Sequence, residues 1–222
     1  MAKIVILGAG ISGHTAAAHL RRKLSKEHEV IVVSPNRNYQ WVPSNIWVGI
    51  GRMKSKEIIF PLEPLYKRKG IGYIQSKAVS FHPEGDSTET KPYILVEGVY
   101  GDTLGKQEKV TYDYLINATG PKLAFDMTEG LVPGTNKAYS VCTYDHAEHA
   151  SEALLKLIAE MKKSDKKVKI LIGTGHAKST CQGAAFEYIL NVEKELVNHG
   201  VRDKAEITWI SNEYYLGDFG MD

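Results

Sequence analysis

The sequence is poor in cysteine and has almost no excess charge of either sign. It contains two cysteines, and its 28 basic residues nearly balance its 26 acidic residues to leave a formal net charge of +2. Such a balance gives no sign of a nucleic-acid partner, so we expect none. No stretch approaches the about 20 apolar residues of a membrane-spanning helix. Because a strand pattern begins at Lys3, there is no room for a signal peptide, and we expect a cytoplasmic chain.

The cysteines and histidines also lack the spacing of a metal site. There is no Cys-x-x-Cys pair, and His146 and His149 are only three residues apart. We therefore predict no metal centre. In a chain of this composition, two isolated cysteines are more often catalytic or inert than joined in a structural disulfide.

The most informative stretch is KIVILGAGISG, residues 3–13. The apolar run Ile4–Leu7 is typical of a strand buried in a parallel sheet, and a helical stretch starts at Thr15. The glycines between them permit a tight turn, the close approach of a pyrophosphate, and close packing of helix on strand. The helix N-terminus adds free backbone N–H groups. We therefore predict a dinucleotide site formed by Gly8, Gly10, Ile11, Ser12 and Gly13.

The second strand, Glu29–Val33, ends in Ser34 and Pro35. An aspartate or glutamate is usual about 20 residues after the glycines, where it binds a ribose, and it is missing here. Ser34 can exchange hydrogen bonds with a ribose, although more weakly than a carboxylate. Arg37 is either a partner for a 2′-phosphate, which would favour NADP, or a solvated loop arginine.

A long insertion follows this first βαβ unit. Its early part, Tyr39–Gly49, is aromatic and rich in turn residues without a clean period, and a helical piece spans Pro61–Lys69. Three later runs have strand character and are separated by polar loops, so we predict an antiparallel β-meander over about residues 73–116. These runs are Tyr73–Phe81, Tyr93–Tyr100 and Lys109–Ile116.

A second unit with the same plan then begins. Residues 144–163 have the period of an amphipathic helix, and Lys166–Ile172 is a buried-type strand that runs into the turn Gly173–Gly175. A helix over Ser179–Asn198 and a strand over Ala205–Ser211 complete the repeat. We predict an α/β fold with two Rossmann-like dinucleotide-binding units that contain parallel sheets, the first spanning 1–138 with the meander inserted and the second starting at 139 and running incomplete to 222.

Four segments carry a resemblance to a known family. In sequence order they read YQWVPSNIWVGIG (Tyr39–Gly51), YDYLINATGPKL (Tyr112–Leu123), SVCTYDHAEHA (Ser140–Ala150) and STCQGAAFEYI (Ser179–Ile189). With the two glycine turns, they resemble the N-terminal half of the sulfide:quinone oxidoreductase and flavocytochrome c sulfide dehydrogenase branch of the FAD-dependent pyridine nucleotide-disulfide oxidoreductase superfamily. The paired cysteine motifs are the most specific part of the resemblance.

The resemblance implies that the dinucleotide is FAD. The element Ala118-Thr119-Gly120 matches the family's second FAD-contacting motif. Pro43 and Asn45 lie in the segment that sulfide:quinone reductases place beside the flavin, and that branch tolerates a serine at the position of Ser34. The resemblance thus adds the following residues to the expected FAD contacts: Ser34, Pro35, Pro43, Asn45, Ala118, Thr119 and Gly120.

The resemblance also implies which residues are catalytic. Cys181 falls within the first turn of the helix expected from Ser179, where a helix N-terminus favours the thiolate form of a redox cysteine. Glu187 on the same helix is either a proton acceptor, if buried, or a solvated carboxylate. Cys142 matches a cysteine that lies near the flavin or assists sulfide handling in the family. His146 is either a proton relay or a surface histidine.

The implied reaction is the oxidation of sulfide to polysulfide or sulfur through a cysteine persulfide, with electrons passed via FAD to a quinone. The second glycine turn has Lys178 where a third glycine is usual, which argues against nicotinamide binding. The resemblance further implies a peripheral position on the cytoplasmic side of a membrane, through a C-terminal region, and allows a homo-oligomer. Two alternatives stay open: a type II NADH:quinone oxidoreductase and a non-catalytic flavin-binding module.

Complete members of that branch are longer and carry a third cysteine and a later Gly-Asp flavin motif. The resemblance places the disulfide partner of Cys181 in that further part, so we expect Cys142 and Cys181 to be free thiols that are not bonded to each other. We also expect the 222-residue chain alone to bind FAD weakly and not to turn over sulfide.

Overall fold

The computed structural model describes residues 1–179 and 181–215. Thr180, within the second cysteine motif, and residues 216–222, at the end of the predicted second domain, lie outside the described residues. The chain forms two compact units: Met1–Gln40 with Ile59–Lys122, and Trp41–Ile58 with the chain from Leu123 onward. The domain division between residues 138 and 139 stays a prediction; by compactness, residues 41–58 and 123–138 group with the second unit.

The strands of the described residues are β1 (Lys3–Leu7), β2 (Glu29–Val33), β3 (Asn38–Gln40), β4 (Ile59–Pro61), β5 (Gly72–Ile74), β6 (Ser76–His82), β7 (Tyr93–Gly98), β8 (Gln107–Thr111), β9 (Tyr114–Asn117), β10 (Val168–Gly173) and β11 (Ala205–Ile210). The α-helices are α1 (Ile11–Lys23), α2 (Asn45–Gly49), α3 (Leu62–Lys69), α4 (Tyr144–Lys163) and α5 (Gln182–Asn198).

The first unit is built on a four-stranded parallel sheet in the order β5-β2-β1-β9. β1 is its centre, and Val5 and Ile6 are fully buried, as the apolar run predicts for a strand covered on both faces. The predicted βαβ unit is confirmed, although α1 starts at Ile11, directly after Gly10, rather than at Thr15. The fold is the expected Rossmann-like α/β architecture.

The predicted meander is confirmed as the antiparallel sheet β6-β7-β8. However, β5 and β9, which the sequence assigns to the ends of the same runs, are strands of the parallel sheet. At Asp113 the switch has a clear cause, because this residue exchanges two hydrogen bonds with the start of β1. Its N–H donates to the Lys3 carbonyl over 2.9 Å, and its Oδ2 accepts from the Lys3 N–H at 2.7 Å.

The second unit contains the parallel pair β10-β11 and the helices α2, α4 and α5. α4 has the predicted bounds. The segment predicted as a turn-rich loop instead forms a 3₁₀ turn, Val42–Ser44, that leads into α2. The buried core of this unit draws on the helices, on β11 and on Ile50, which directly follows α2, and its members are Ile50, Leu154, Ile158, Met161, Val192, Leu196, Val201 and Ala205.

The described residues form neither a membrane-spanning helix nor a metal-binding cluster. No α-helix there combines the length and the apolarity that crossing a bilayer requires. No group of three or more His, Cys, Asp or Glu side chains there is placed to hold a metal ion.

Candidate dinucleotide and redox site

The carboxyl ends of three parallel strands meet at one point of the first unit. The N–H of Gly8, after β1, donates to the carbonyl of Val33 at the end of β2 over 2.8 Å. The N–H of Ala118, after β9, donates to the carbonyl of Leu7 over 2.8 Å. The loops that begin at Gly8, Ser34 and Ala118 are therefore brought together, at the edge where Rossmann-like sheets bind their ligands.

Gly8 and Gly13 are required by close packing. Gly8 has a φ of +94°, and a Cβ there would lie 2.2 Å from the carbonyl oxygen of Ala118. A Cβ on Gly13 would lie 2.0 Å from the carbonyl oxygen of Gly8. No side chain fits at either distance, so these two glycines let α1 start directly against the strand ends.

Gly10 differs from its two neighbours in the motif. A Cβ on Gly10 would meet no atom within 4 Å, so the space in front of it is open. Gly10 is also the N-cap of α1, and no side chain forms a hydrogen bond that caps this end. The first helical bond runs from the His14 N–H to the Gly10 carbonyl. The N–H groups at Ile11 and Ser12 are thus available at the positive end of a 13-residue helix, which suits a pyrophosphate.

Ser34 lies at the end of β2 and is 1% exposed. Its Oγ accepts a hydrogen bond from the Asn36 N–H at 3.2 Å, which fixes the turn through the exposed Pro35. The Tyr73 hydroxyl donates to the Asn36 carbonyl over 2.5 Å. Burial, helped by Glu63, raises the pKa of Tyr73 to about 12, so this hydroxyl keeps its proton near neutral pH.

Arg37, for which the sequence left two alternatives open, is exposed beyond this turn. Its guanidinium carbon lies 5.8 Å from the centre of the Tyr100 ring, within the range of a cation–π contact.

The third loop contains Thr119 and Gly120. The N–H and the hydroxyl of Thr119 both donate to Oδ1 of Asn117, over 3.2 Å and 2.9 Å. Gly120 has a φ of +71°, and a Cβ there would meet no atom within 4 Å. The loop is thus held by its own side chains and leaves open space at its glycine.

In the second unit, Pro43 and Asn45 lie where the 3₁₀ turn meets α2. Pro43 is exposed, whereas Asn45 is 1% exposed. The large side chains of Trp41 and Trp47 on either side are 47% and 40% exposed. The segment therefore combines exposed aromatic side chains with a buried polar side chain.

Both cysteines are exposed free thiols at the starts of long helices of the second unit. Cys142 lies just before Thr143, the N-cap of α4, and its N–H donates to the Ser140 Oγ over 3.0 Å. Cys181 is itself the N-cap residue of α5 and makes no side-chain capping bond. The sequence predicted Cys181 within the first turn of a helix from Ser179, but the helix begins three residues later, at Gln182.

The two predicted proton carriers differ in their surroundings. His146 is half-buried on α4 with its ring edge-on to Phe125, the ring centres 5.2 Å apart. Its Nδ1 is buried and finds no hydrogen-bond partner among the described residues. Glu187 is exposed on α5, so the burial on which its predicted role depends is not present.

A buried carboxylate on α5 was not predicted from the sequence. Glu195 is 6% exposed, and its Oε1 accepts hydrogen bonds from Nε of Arg52 at 2.8 Å and from Nδ2 of Asn198 at 3.3 Å. Nearby, the Tyr188 hydroxyl donates to the Gly49 carbonyl over 3.1 Å. Both links join α5 to the chain around α2. No local pattern signals them, because the partners lie 143 and 139 residues apart.

The second glycine turn is built differently from the first. A Cβ on Gly175 would lie 2.3 Å from Cδ1 of Leu131, so the space in front of Gly175 is already filled. The Thr128 hydroxyl donates to the Gly175 carbonyl over 2.8 Å, which holds the Leu131 loop in place. In addition, α5 begins only at Gln182, so no helix N-terminus follows this turn directly.

Residues 2–185 match the family model of the pyridine nucleotide-disulphide oxidoreductases. The chain belongs to this family. Members of the family are FAD-binding flavoproteins, and FAD is the cofactor. The first unit fits it, because Gly10 leaves open space before an uncapped helix N-terminus.

The most informative relatives are quinone reductases. A sulfide-quinone reductase of Aquifex aeolicus is 32% identical over 222 residues, which are 100% of this chain and 46% of that protein. The X-ray structure of the sulfide:quinone oxidoreductase from Aquifex aeolicus superimposes with a TM-score of 0.79 at 29% identity, covering 99% of this chain and 45% of that one. A type II NADH:quinone oxidoreductase of Staphylococcus aureus is 21% identical over 230 residues, which cover 90% of this chain and 53% of that protein. The chain thus spans about half the length of these relatives.

Proposed function

We propose that the full-length protein is a sulfide:quinone oxidoreductase, which oxidises sulfide to polysulfide or sulfur and passes the electrons via FAD to a quinone. The observation that carries this proposal is the placement of the two cysteines. Cys142 and Cys181 are exposed free thiols, each at the start of a long helix of the second unit. The 32% sequence identity to a sulfide-quinone reductase of Aquifex aeolicus supports the same interpretation.

Cysteine at these positions suits sulfide chemistry. Hydrosulfide attacks one sulfur of a disulfide, a persulfide forms on that cysteine, and the other sulfur leaves as a thiolate. An exposed sulfur at the start of a helix is accessible to this anion. We propose that Cys181 forms this disulfide with a partner cysteine outside this chain and is the sulfur that hydrosulfide attacks. We assign an assisting role to Cys142. His146, four residues after Cys142, is the proposed proton relay.

The dinucleotide half of the proposal concerns the first unit. Gly8, Gly10 and Gly13, with the N–H groups at Ile11 and Ser12, would hold the pyrophosphate, and Ser34 the adenosine ribose. The loop from Ala118 to Gly120, and Pro43 with Asn45 in the second unit, complete the proposed contacts. FAD, when bound, supplies an acceptor for two electrons. The residues of this chain bind and orient it.

The filled second glycine turn favours sulfide over NADH as the electron donor. A nicotinamide dinucleotide needs space beside a glycine and a helix N-terminus for its pyrophosphate. The side chain of Leu131 takes that space at Gly175, and α5 starts too late to offer its N-terminus. A type II NADH:quinone oxidoreductase is 21% identical to this chain. That alternative function has less support, because the second glycine turn lacks the space that NADH needs.

The same proposal includes a quinone as the electron acceptor and a membrane as the place of the reaction. A quinone acceptor is a lipid-soluble molecule, so the full-length protein would work at a membrane surface. We propose peripheral attachment on the cytoplasmic side through a region beyond this chain. Assembly as a homo-oligomer is compatible with this arrangement.

The decisive experiment is anaerobic addition of sulfide to the FAD-loaded full-length protein. Sulfide is expected to bleach the flavin absorbance, and Cys181→Ala is expected to abolish the bleaching while FAD stays bound. The matched control is Ser179→Ala, which alters a polar side chain near the same helix start without removing a sulfur. Bleaching by NADH but not by sulfide would refute the proposal in favour of the NADH alternative. A flavin that neither donor reduces would favour a non-catalytic binding module.

A further inference from the structure

The end of α2 is packed against the chain segment that contains Cys142. A Cβ on Gly49, the last residue of α2, would lie 2.7 Å from Cγ1 of Val141 and 3.1 Å from Cε2 of Tyr188. The φ of Gly49 is not in the left-handed region, so an alanine would suit the backbone. Glycine is needed at this position for space alone.

Val141 directly precedes Cys142, so the packing position of Val141 on α2 determines where the backbone of Cys142 lies. The next fixed points are the hydrogen bond from the Cys142 N–H to Ser140 and the N-cap of α4 at Thr143. The short stretch around Cys142 is thus held by the start of α4 on one side and by the surface of α2 on the other. Between these supports the thiol itself is exposed.

α2 is in turn fastened to α5 by two links. The hydroxyl of the half-buried Tyr188 donates to the Gly49 carbonyl over 3.1 Å, and burial raises the pKa of Tyr188, which keeps this donor protonated. Arg52, just beyond α2, lies with its Nη2 at 2.7 Å from the buried carboxylate of Glu195. The surface that supports Val141 is therefore rigidly placed.

From these contacts we infer that Gly49 is a positioning residue for Cys142. Because Gly49 has no side chain, Val141 can pack directly on α2. The position of the Cys142 thiol therefore depends on the segment that contains Pro43 and Asn45. The assisting role of Cys142 in sulfide oxidation rests on the proposed function. The coupling itself does not, and it is tested by the chemical reactivity of the thiol.

The test compares Gly49→Ala with wild type in the full-length protein, with and without FAD. Alkylation rates of Cys142 and Cys181 are measured separately by mass spectrometry of timed iodoacetamide reactions. In Gly49→Ala the added methyl group displaces Val141, so the rate at Cys142 changes severalfold while the rate at Cys181 stays at the wild-type value. Sulfide-dependent flavin bleaching slows by about tenfold, within the range that a misplacement of 1 Å causes.

A second change makes the test specific. Val141→Ala in the Gly49→Ala background removes the clashing methyl groups and is expected to restore the Cys142 rate. The control is Gly183→Ala, because Gly183 is a glycine of α5 whose added Cβ would meet no atom within 4 Å. It should leave the rate at Cys142 unchanged. Tyr188→Phe, which keeps the ring and removes only the bond to Gly49, should shift the Cys142 rate in the same direction by less.

The inference is overturned if Gly49→Ala leaves Cys142 unchanged, if both cysteines change together, or if Val141→Ala fails to restore the rate. Should Gly49→Ala not fold, Tyr188→Phe decides alone, and an unaltered Cys142 rate then overturns the inference. If sulfide does not bleach the wild-type flavin but the labelling pattern holds, the proposed function fails and the positioning role of Gly49 stands.

Discussion

Arg52 places its Nε and Nη2 atoms 2.8 Å and 2.7 Å from one oxygen, Oε1, of Glu195. The carboxylate side chain is 8% exposed, whereas the arginine side chain is 51% exposed. The pair therefore neutralises a buried charge from a half-exposed position. Removing Arg52 would leave this carboxylate with the weaker contacts from Nδ2 of Asn198 at 3.3 Å and from Nε2 of His199 at 3.9 Å.

Replacing Arg52 by methionine is expected to destabilise the second unit by about 2 kcal/mol, less than the about 3–5 kcal/mol seen for fully buried pairs, because water reaches the arginine. Glu195→Gln should cost less, since the amide oxygen still accepts from Arg52. Chemical denaturation of the full-length variants provides the measurement. The exposed pair of Lys169 with Glu206, 4.0 Å apart, is the control, and Lys169→Ala should change stability by no more than about 0.5 kcal/mol. Equal losses at both pairs would contradict this assignment.

Gly8→Ala and Gly10→Ala are expected to fail in different ways. The Cβ of Gly8→Ala collides with the Ala118 carbonyl at 2.2 Å, at a φ of +94°, so the variant should lose thermal stability even without FAD. The Cβ of Gly10→Ala meets nothing within 4 Å, so the FAD-free protein should melt as wild type does. It should bind FAD more weakly, because the methyl group occupies the space proposed for the pyrophosphate. Calorimetry and flavin titration separate the two, and normal FAD affinity in Gly10→Ala would remove this glycine from the site.

His14 is expected to make the stability of the first unit depend on pH. Its ring packs against those of Tyr39 and Tyr66, with centres 4.9 Å and 5.6 Å away, and burial, followed by the charge of Lys69, lowers its pKa from 6.5. Between the lowered pKa of His14 and pH 6.5, the unfolded chain binds a proton that the folded chain does not. The contribution of His14 is thus present above that pH and is lost as the pH falls through its lowered pKa.

Two variants test the pH dependence. His14→Phe should flatten the loss of stability on acidification, and Lys69→Met should move the pKa of His14 part of the way back towards 6.5, as followed by NMR titration. An unchanged stability profile in His14→Phe would show that other groups cause the acid sensitivity.

Cys142 and Cys181 are expected to remain unlinked. Both are free thiols in the structure, and the proposed mechanism pairs Cys181 with a cysteine outside this chain. Peptide mapping of the full-length protein under non-reducing conditions should show no cross-link between the two. Finding that cross-link as the main species would mean that the redox disulfide is local and that Cys142 is the partner.

The sequence was most informative where the pattern was local. The glycine turn between β1 and α1 followed from one contiguous stretch, and the bounds of α4 followed from a long 3.6-residue period. The period-2 runs were less decisive. Alternation shows that a segment is a strand, but not which sheet it joins, so β5 and β9 were assigned to the meander.

The site in the second unit was harder to predict for physical reasons. α2 has five residues, too few for a helical period to show. α5 starts at Gln182, three residues after the predicted start at Ser179, which moves Cys181 from the first turn to the N-cap. The contacts of Gly49 and Glu195 join distant parts of the chain, and the filling of the second glycine turn by Leu131 depends on a loop more than one element away.

The assignment of residues 41–58 to the second unit has a consequence for biosynthesis. Ile50 belongs to a core whose other members lie on α4, on α5, at the start of β11 and in the connection between α5 and β11. Gly49 accepts a hydrogen bond from a tyrosine 139 residues further along. At the usual ribosomal speed this interval lasts about 10 s, during which the contacts of the nascent segment with α5 cannot form. Closure over such a distance is also slow because of its entropy cost. The first unit can therefore fold while residues 41–58 still lack their contacts with α5. The second unit completes its fold only when α5 has left the ribosome.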